Sequence, residues 1–280
     1  MSAPLSAYGD ALRFDRLVNV YFYTSNADKL LQARLIFARR GYELRHFRIG
    51  SEPYDEDYSL GTETLLTKAI TQVNADFNVR SLFFVEDTSL RIDALSEEFD
   101  FPGLAVKDWF GTTSFDELDR QIRIRGGDRR ALVRSDIALF LPTLSRPIFF
   151  HGETAGAVAT TPPTFSPSSQ YPWLTPDTFN GWFIPAGASR RLGETEFEDS
   201  LQFDFRAKSI ASLIDQIDQL NAALNLASNF YVVRRRSSPS EPEQPLLTGL
   251  LPIDKRAVES FSSWVINVPG RQPSVIISLH

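Results

Sequence analysis

Leu17-Val18-Asn19-Val20-Tyr21-Phe22-Tyr23-Thr24-Ser25-Asn26-Ala27-Asp28-Lys29 is the stretch that decides how the chain is read. Leu17 to Tyr23 is dominated by β-branched and aromatic residues, the composition of a strand. Thr24, Ser25 and Asn26 are residue types that cap helix N-termini. From Asp28 to Arg40, Leu30, Leu31, Leu35, Ile36 and Phe37 recur at helical spacing, and Gly41 supplies the stop. A strand that runs directly into a helix predicts an α/β architecture.

Working outward, Glu43 to Ile49 reads as a second strand, followed by an acidic loop from Ser51 to Gly61. Thr62 can cap a helix over Glu63 to Ala75. Ser81 to Val85 reads as a buried strand ending at Glu86 and Asp87. Ser114 and Glu117 form a capping-box pattern ahead of a helix to Arg123. Asp136 to Leu141 and Pro147 to Phe150 read as paired strands, and Gly152 to Thr161 as another. Pro162 to Pro176 reads as a loop. Arg206 to Leu224 is amphipathic, with Ile210, Leu213, Ile214, Ile217 and Leu220 on one side. Early alternation followed by clustered strands implies a mixed fold rather than a purely parallel sheet.

The organisation along the chain is an extension over 1–16, a main domain over 17–233, a linker over 234–245 and a C-terminal extension over 246–280. The linker reads RRRSSPSEPEQP from Arg234, and Ser274 to Leu279 is strand-like.

Composition narrows the chemistry. The net charge of −6 argues against broad nucleic-acid binding, though not against a small phosphate pocket. There is no cysteine, which removes thiolate catalysis and cysteine-ligated zinc. With histidine only at 46, 151 and 280, the expected metal is a hard cation held by carboxylates. No apolar run reaches the roughly 18 residues of a membrane span, and Met1 to Arg16 has no signal-peptide core. A cytoplasmic location is the expectation.

Four local features could carry function, each with a plainer alternative. Thr24 to Lys29 could hold phosphate at a helix start, or be a cap beside a solvated lysine. Glu86-Asp87 could ligate a cation and position a water, or form an acidic turn. The acidic loop with Glu52, Asp55, Glu56 and Asp57 leads to Glu63 and Lys68, and could be solvated or face a site. Arg206 could recognise a phosphate or a base edge, or be a surface arginine.

The order and spacing of these features resemble the inosine triphosphate pyrophosphatase family. Its T-G-N-x-x-K motif matches Thr24-Ser25-Asn26-Ala27-Asp28-Lys29, with serine for glycine. Its E-N-A-x-x-K-A stretch matches Glu63 to Ala69 in spacing, with Glu56 ahead of Gly61. Its E-D-T signature matches Glu86-Asp87-Thr88, followed by Ala94-Leu95 and Pro102-Gly103. Its F-x-G-x-x-x-G strand matches Phe150 to Gly156. The likeness spans about residues 17 to 224.

The resemblance implies an elongated, two-lobed mixed-sheet α/β fold with a central cleft, usually a homodimer. It implies a Mg²⁺-dependent nucleoside triphosphate pyrophosphatase that releases pyrophosphate and a nucleoside monophosphate. Glu56 and Asp87 would hold Mg²⁺, with Glu86 and Asp87 as the catalytic pair. Thr24, Ser25, Asn26, Lys29, Lys68, Trp182 and Arg206 would contact the nucleotide; neither nucleic acid nor membrane is an expected partner. The base-reading half departs from the family. F-G-W-D-P is replaced by Phe179-Asn180-Gly181-Trp182-Phe183-Ile184-Pro185, and S-H-R by Asp204-Phe205-Arg206. That departure predicts altered base choice. A non-catalytic nucleotide-binding relative and a hydrolase of another phosphorylated metabolite are the alternatives.

Overall fold

A computed structural model describes residues 19–47, 58, 61–77, 81–142 and 144–230, together with 264–265 and 276–277. The chain divides into two compact units, Met1–Ile214 and Asp215–His280. The expectations for 1–16, for Glu52, Asp55, Glu56 and Asp57, and for the 234–245 linker lie outside the described residues.

In the first unit the chain runs β1 (Val20–Tyr23), α1 (Ala27–Arg39), β2 (Leu44–Phe47), α2 (Thr62–Phe77), β3 (Leu82–Ile92) and β4 (Pro102–Gly103). It continues through α3 (Val106–Thr112), α4 (Phe115–Ile124), β5 (Arg130–Phe140), β6 (Ile148–Val158), β7 (Phe183–Pro185) and α5 (Phe197–Ser200). The last helix, α6 (Phe205–Phe230), crosses into the second unit, where β8 (Trp264–Val265) pairs antiparallel with β9 (Ile276–Ile277).

One seven-stranded mixed sheet organises the first unit, in the order β2-β1-β3-β5-β6-β7 with β4 on β3. β1 is parallel to β2 and β3, and the remaining pairs are antiparallel. Alternation along the strands feeds two cores. Phe83 and Val85 of β3 and Ala138 of β5 pack on Leu66, Ala69, Ile70 and Val73 of α2. On the other face, Phe22 stacks on Phe84 with ring centroids 4.4 Å apart, and Phe37 of α1 closes to 6.0 Å.

The strand-to-helix junction forms for the reason its residues suggest. Asn26 Oδ1 accepts hydrogen bonds from Asp28 N at 2.9 Å and Lys29 N at 3.0 Å. That caps α1 and satisfies two amides that a helix start leaves open. At the far end Gly41 takes φ 74°, which an L side chain resists, and the helix stops there.

The structure corrects several boundaries. Thr62 lies inside α2 rather than capping it, because the Gly61 carbonyl already accepts from Leu65 N at 3.0 Å. β3 does not end at Glu86-Asp87: its ladder with β5 continues from Phe83↔Phe140 to Ile92↔Ala131. Pro147 to Phe150 and the segment after Gly152 are a single strand, Ile148–Val158, held by β5 along its length. Sequence patterning did not anticipate α3, α5, β4 or β7, all short elements that depend on tertiary support.

Candidate active site

The site grows out of a gap in the sheet. On one side β3 is paired with β5 throughout. On the other, β1 covers Leu82 to Phe84, and β4 covers only Leu90 and Arg91. Glu86 and Asp87 lie between those two partners. There the Lys29 side chain enters from α1, and Nζ donates to the Glu86 carbonyl at 3.3 Å, taking up an acceptor that no strand covers. The same Nζ lies 3.0 Å from Glu86 Oε2 and 3.7 Å from Asp87 Oδ1.

Glu86 is buried and heavily bonded on one oxygen. Oε1 accepts from Ser135 Oγ at 2.7 Å, Thr88 Oγ1 at 2.9 Å and Arg206 Nε at 3.1 Å. Oε2 has the Lys29 ion pair alone, at good distance but poorly aligned as a hydrogen bond. Burial pushes the Glu86 carboxyl up, but Arg206 and Lys29 beside it, with the Ser135 hydroxyl, overcome that and hold it at about 2. Glu86 is therefore ionised throughout the physiological range. Asp87 Oδ1 accepts from Thr88 N at 2.8 Å, which fixes the rotamer of the second carboxylate.

Arg206 is turned inward. Nε bonds Glu86, Nη1 donates to Gln32 Oε1 at 2.6 Å, and Nη2 donates to Thr88 Oγ1 at 2.9 Å. Gln32 Nε2 in turn donates to Asp204 Oδ2 at 2.7 Å, while Asp204 Oδ1 accepts from Ala207 N at 2.9 Å at the head of α6. Burial raises the Asp204 pKa, against the opposing pull of Arg206 and of the Ala207 and Gln32 bonds. Gly152 lets α6 come this close: a Cβ there would stand 2.1 Å from Phe205 O and 2.4 Å from Ser209 N. Lys208 Nζ fastens the same helix to β6, donating to Glu153 O at 2.9 Å and Thr154 Oγ1 at 2.8 Å.

The structure thus brings Lys29, Glu86, Asp87 and Arg206 together. Thr24 Oγ1 accepts from Asn26 N at 3.1 Å, and Ser25 is exposed beside it, both at the α1 start. Lys68 is exposed on α2 and bonds no described residue of this cluster. Trp182 is buried elsewhere in the unit, against Phe110 at 4.4 Å and Phe115 at 5.5 Å. With them it lines a cavity of about 540 Å³ that also includes Phe165, Pro163, Pro176 and Asp177. Asn180 donates through Nδ2 to Trp173 O at 2.9 Å, so its amide supports the loop before β7.

Gln32 and Ser135 were not singled out by sequence reasoning, and Asp204 entered it only as the residue standing for serine in the S-H-R motif. Gln32 carried a readable signal: it is a polar residue within the buried α1 stripe of Leu30, Ala33, Ile36 and Phe37. Ser135 gave none, and the motif departure at Asp204 did not show its bond to Gln32, because these partners lie far away in sequence.

A model of the Ham1 family matches residues 20–216. The chain belongs to the Ham1 family. This is the inosine triphosphate pyrophosphatase family that the motif series resembles. Two solved Ham1 structures share the fold. A Staphylococcus aureus Ham1 protein gives a TM-score of 0.50 at 17% identity, over 75% of this chain and 100% of its own. A Coxiella burnetii HAM1 protein gives 0.50 at 16%, over 75% and 100%. A nucleoside-triphosphatase (dITP/XTP pyrophosphatase) from Mycobacterium abscessus gives 0.45 at 18%, over 78% and 100%. No curated protein matches in sequence. Among the described residues of this Ham1 family member, no helix is long and apolar enough to cross a membrane.

The carboxylates suit a hard cation. Glu86 Oε2 is a buried anionic oxygen without an aligned donor, beside the Asp87 carboxylate. The described residues hold no group of three or more acidic, histidine or cysteine ligands. That donor set fits Mg²⁺, which is commonly held by one or two carboxylates together with substrate phosphates and water.

Proposed function

We propose that this chain is a Mg²⁺-dependent nucleoside triphosphate pyrophosphatase that cleaves between the α and β phosphates. Its products are pyrophosphate and a nucleoside monophosphate. Its substrate is a non-canonical purine nucleotide, or a wider set through altered base choice. The observation that carries this reading is the placement of the Lys29 ammonium over two adjacent carboxylates, Glu86 and Asp87, at the gap in the sheet.

Each residue then has a task. Asp87 orients the attacking water and accepts its proton. Mg²⁺, held by Asp87 and, from the motif series, Glu56, would offset phosphate charge. Lys29 and Lys68 draw in the triphosphate. Asn26 Oδ1 is committed to the α1 cap, so its amide Nδ2 is the group that remains for phosphate. Thr24 and Ser25 shape that turn. Arg206 acts indirectly, by fixing Glu86 from the interior. Trp182 and the aromatic cavity around it take the base. Such a site works by positioning and charge neutralisation.

The test is a nucleotide panel with Mg²⁺, measuring pyrophosphate and orthophosphate separately for wild type and Asp87→Asn. Pyrophosphate from wild type, with turnover falling at least about a hundredfold in Asp87→Asn, is the expected result. Binding without turnover on every nucleotide would make the chain a non-catalytic relative. Orthophosphate as the sole product would make it a different hydrolase.

A further inference from the structure

The register of β3, β5 and β6 extends the Asp87 site in a direction that no motif marks. Asp87 pairs with Asp136 on β5, and Asp136 pairs with His151 on β6. Directly opposed residues of antiparallel strands share a face. The three side chains therefore form one row, on the face opposite to Glu86. Facing carboxylates on neighbouring strands repel, and here each has a partner of its own. Asp87 has Lys29 at 3.7 Å, and Asp136 Oδ1 lies 2.5 Å from His151 Nδ1.

The pair is asymmetric in a way that aims the ring. Asp136 has a buried side chain, 9% exposed, whereas that of His151 is 56% exposed. A carboxylate only accepts, so Nδ1 carries the proton of this bond and Nε2 is left facing outward. Nε2 bonds no described residue. An exposed ring would ordinarily sample several rotamers; anchoring it to a buried carboxylate removes that freedom. Two strand spacings put the His151 backbone about 10 Å from that of Asp87. The row therefore reads lysine, carboxylate, carboxylate, imidazole, with nitrogen groups at both ends.

We propose that His151, with both ring nitrogens protonated, donates from Nδ1 to Asp136 and from Nε2 to the outer phosphates of a polyphosphate held at Asp87, and that Asp136 is the positioning residue that aims it. A polyphosphate laid along the row meets Lys29 at one end and His151 at the other. Asp87 faces it through a cation, in keeping with the Mg²⁺ proposed above, while Asp136 is buried and committed to His151. This rests on the proposal that the site takes a nucleoside triphosphate, and its test is separable from turnover.

The experiment is calorimetric binding of inorganic pyrophosphate with Mg²⁺ to the full chain, beside product-inhibition constants for pyrophosphate and for nucleoside monophosphate. His151→Ala should weaken pyrophosphate about tenfold, the loss of one strong hydrogen bond, and leave the monophosphate constant unchanged. His151→Gln, which keeps a donor, should recover part of the affinity. Asp136→Asn should fall between wild type and His151→Ala. Thermal melts show whether each variant is folded, and the split between the two products separates ligand contact from a purely structural role. Equal pyrophosphate affinity in wild type and folded His151→Ala overturns the proposal, as does absence of Mg²⁺-dependent pyrophosphate binding in wild type. If wild type binds pyrophosphate yet hydrolyses no nucleotide, the functional reading fails while the His151 comparison still decides this one.

Discussion

Lys29 Nζ stands 3.0 Å from Glu86 Oε2 across 57 positions of sequence, and the same ammonium group covers the Glu86 carbonyl where the strand partner runs out. The lysine thus completes the sheet edge and charges the site in one contact. Lys29→Met keeps the length and apolar stem but removes the charge. It leaves Glu86 with Arg206 as its remaining cation. Breaking one partner of such a buried pair costs on the order of 3 kcal/mol. The expected outcome is a folded, destabilised protein with pyrophosphate release reduced by at least about a hundredfold. Urea unfolding read beside single-turnover kinetics checks both. Wild-type stability together with wild-type turnover would remove Lys29 from the site.

Arg206 and Glu86 should behave as a coupled unit. The guanidinium serves Glu86, Gln32 and Thr88 at once, a fan that an ammonium cannot reproduce. Arg206→Lys is therefore expected to destabilise by about 2 kcal/mol despite keeping the charge. In a double-mutant cycle, Arg206→Met with Glu86→Gln should cost less than the sum of the two single changes, with a coupling of about 1–3 kcal/mol. Equilibrium unfolding of the four proteins measures it. Strict additivity would mean that the two side chains do not depend on one another.

The strand-to-helix junction was legible because its causes are local. Apolar β-branched residues, Asn26 at the cap and Gly41 at the stop each act within a few positions. The Glu86-Asp87 pair was legible as chemistry but not as structure. An acidic dipeptide after an apolar run reads as a strand end, whereas β5 holds the strand on to Ile92. Arg206 was legible as a site residue through the motif series, but its inward orientation depends on Gln32, 174 positions away. Such partners come together only when α1 and α6 are laid on the same sheet face, and no local pattern encodes that meeting.

The acid limb of stability should carry a Glu86 component. Its carboxyl is held at about 2 against an ordinary 4.5, so the folded state favours the ionised form. A depressed carboxylate contributes stability that is fully present above the unfolded value and is lost as pH falls through the folded one. Wild type should therefore lose this contribution between about pH 5 and pH 2. Glu86→Gln has no such proton to bind. The stability gap between wild type and Glu86→Gln should be greatest at pH 6 and should shrink below pH 4.5. Urea unfolding of both proteins across that range reads it. A gap that stays constant with pH would show that the ion pairs of Glu86 add no net stability.

Gly152 is the position where packing and site geometry meet. A methyl group there would lie 2.1 Å from Phe205 O and 2.4 Å from Ser209 N, both backbone atoms of the helix that carries Arg206. Backbone cannot rotate away as a side-chain end can, so α6 must shift off β6. That movement would pull on the Lys208 bonds to Glu153 and Thr154, and on the Arg206 bonds to Glu86 and Thr88. Gly152→Ala is expected to cost about 3 kcal/mol or more, at the upper end of overpacking penalties. Turnover should fall as well, because Glu86 loses its fixed donor. A Gly61→Ala control, at the start of α2, meets nothing within 4 Å and should be much milder. Thermal unfolding of the two variants, with pyrophosphate release at a temperature where both are folded, separates the effects. A Gly152→Ala protein as stable and active as wild type would show that α6 does not need this close approach to set Arg206.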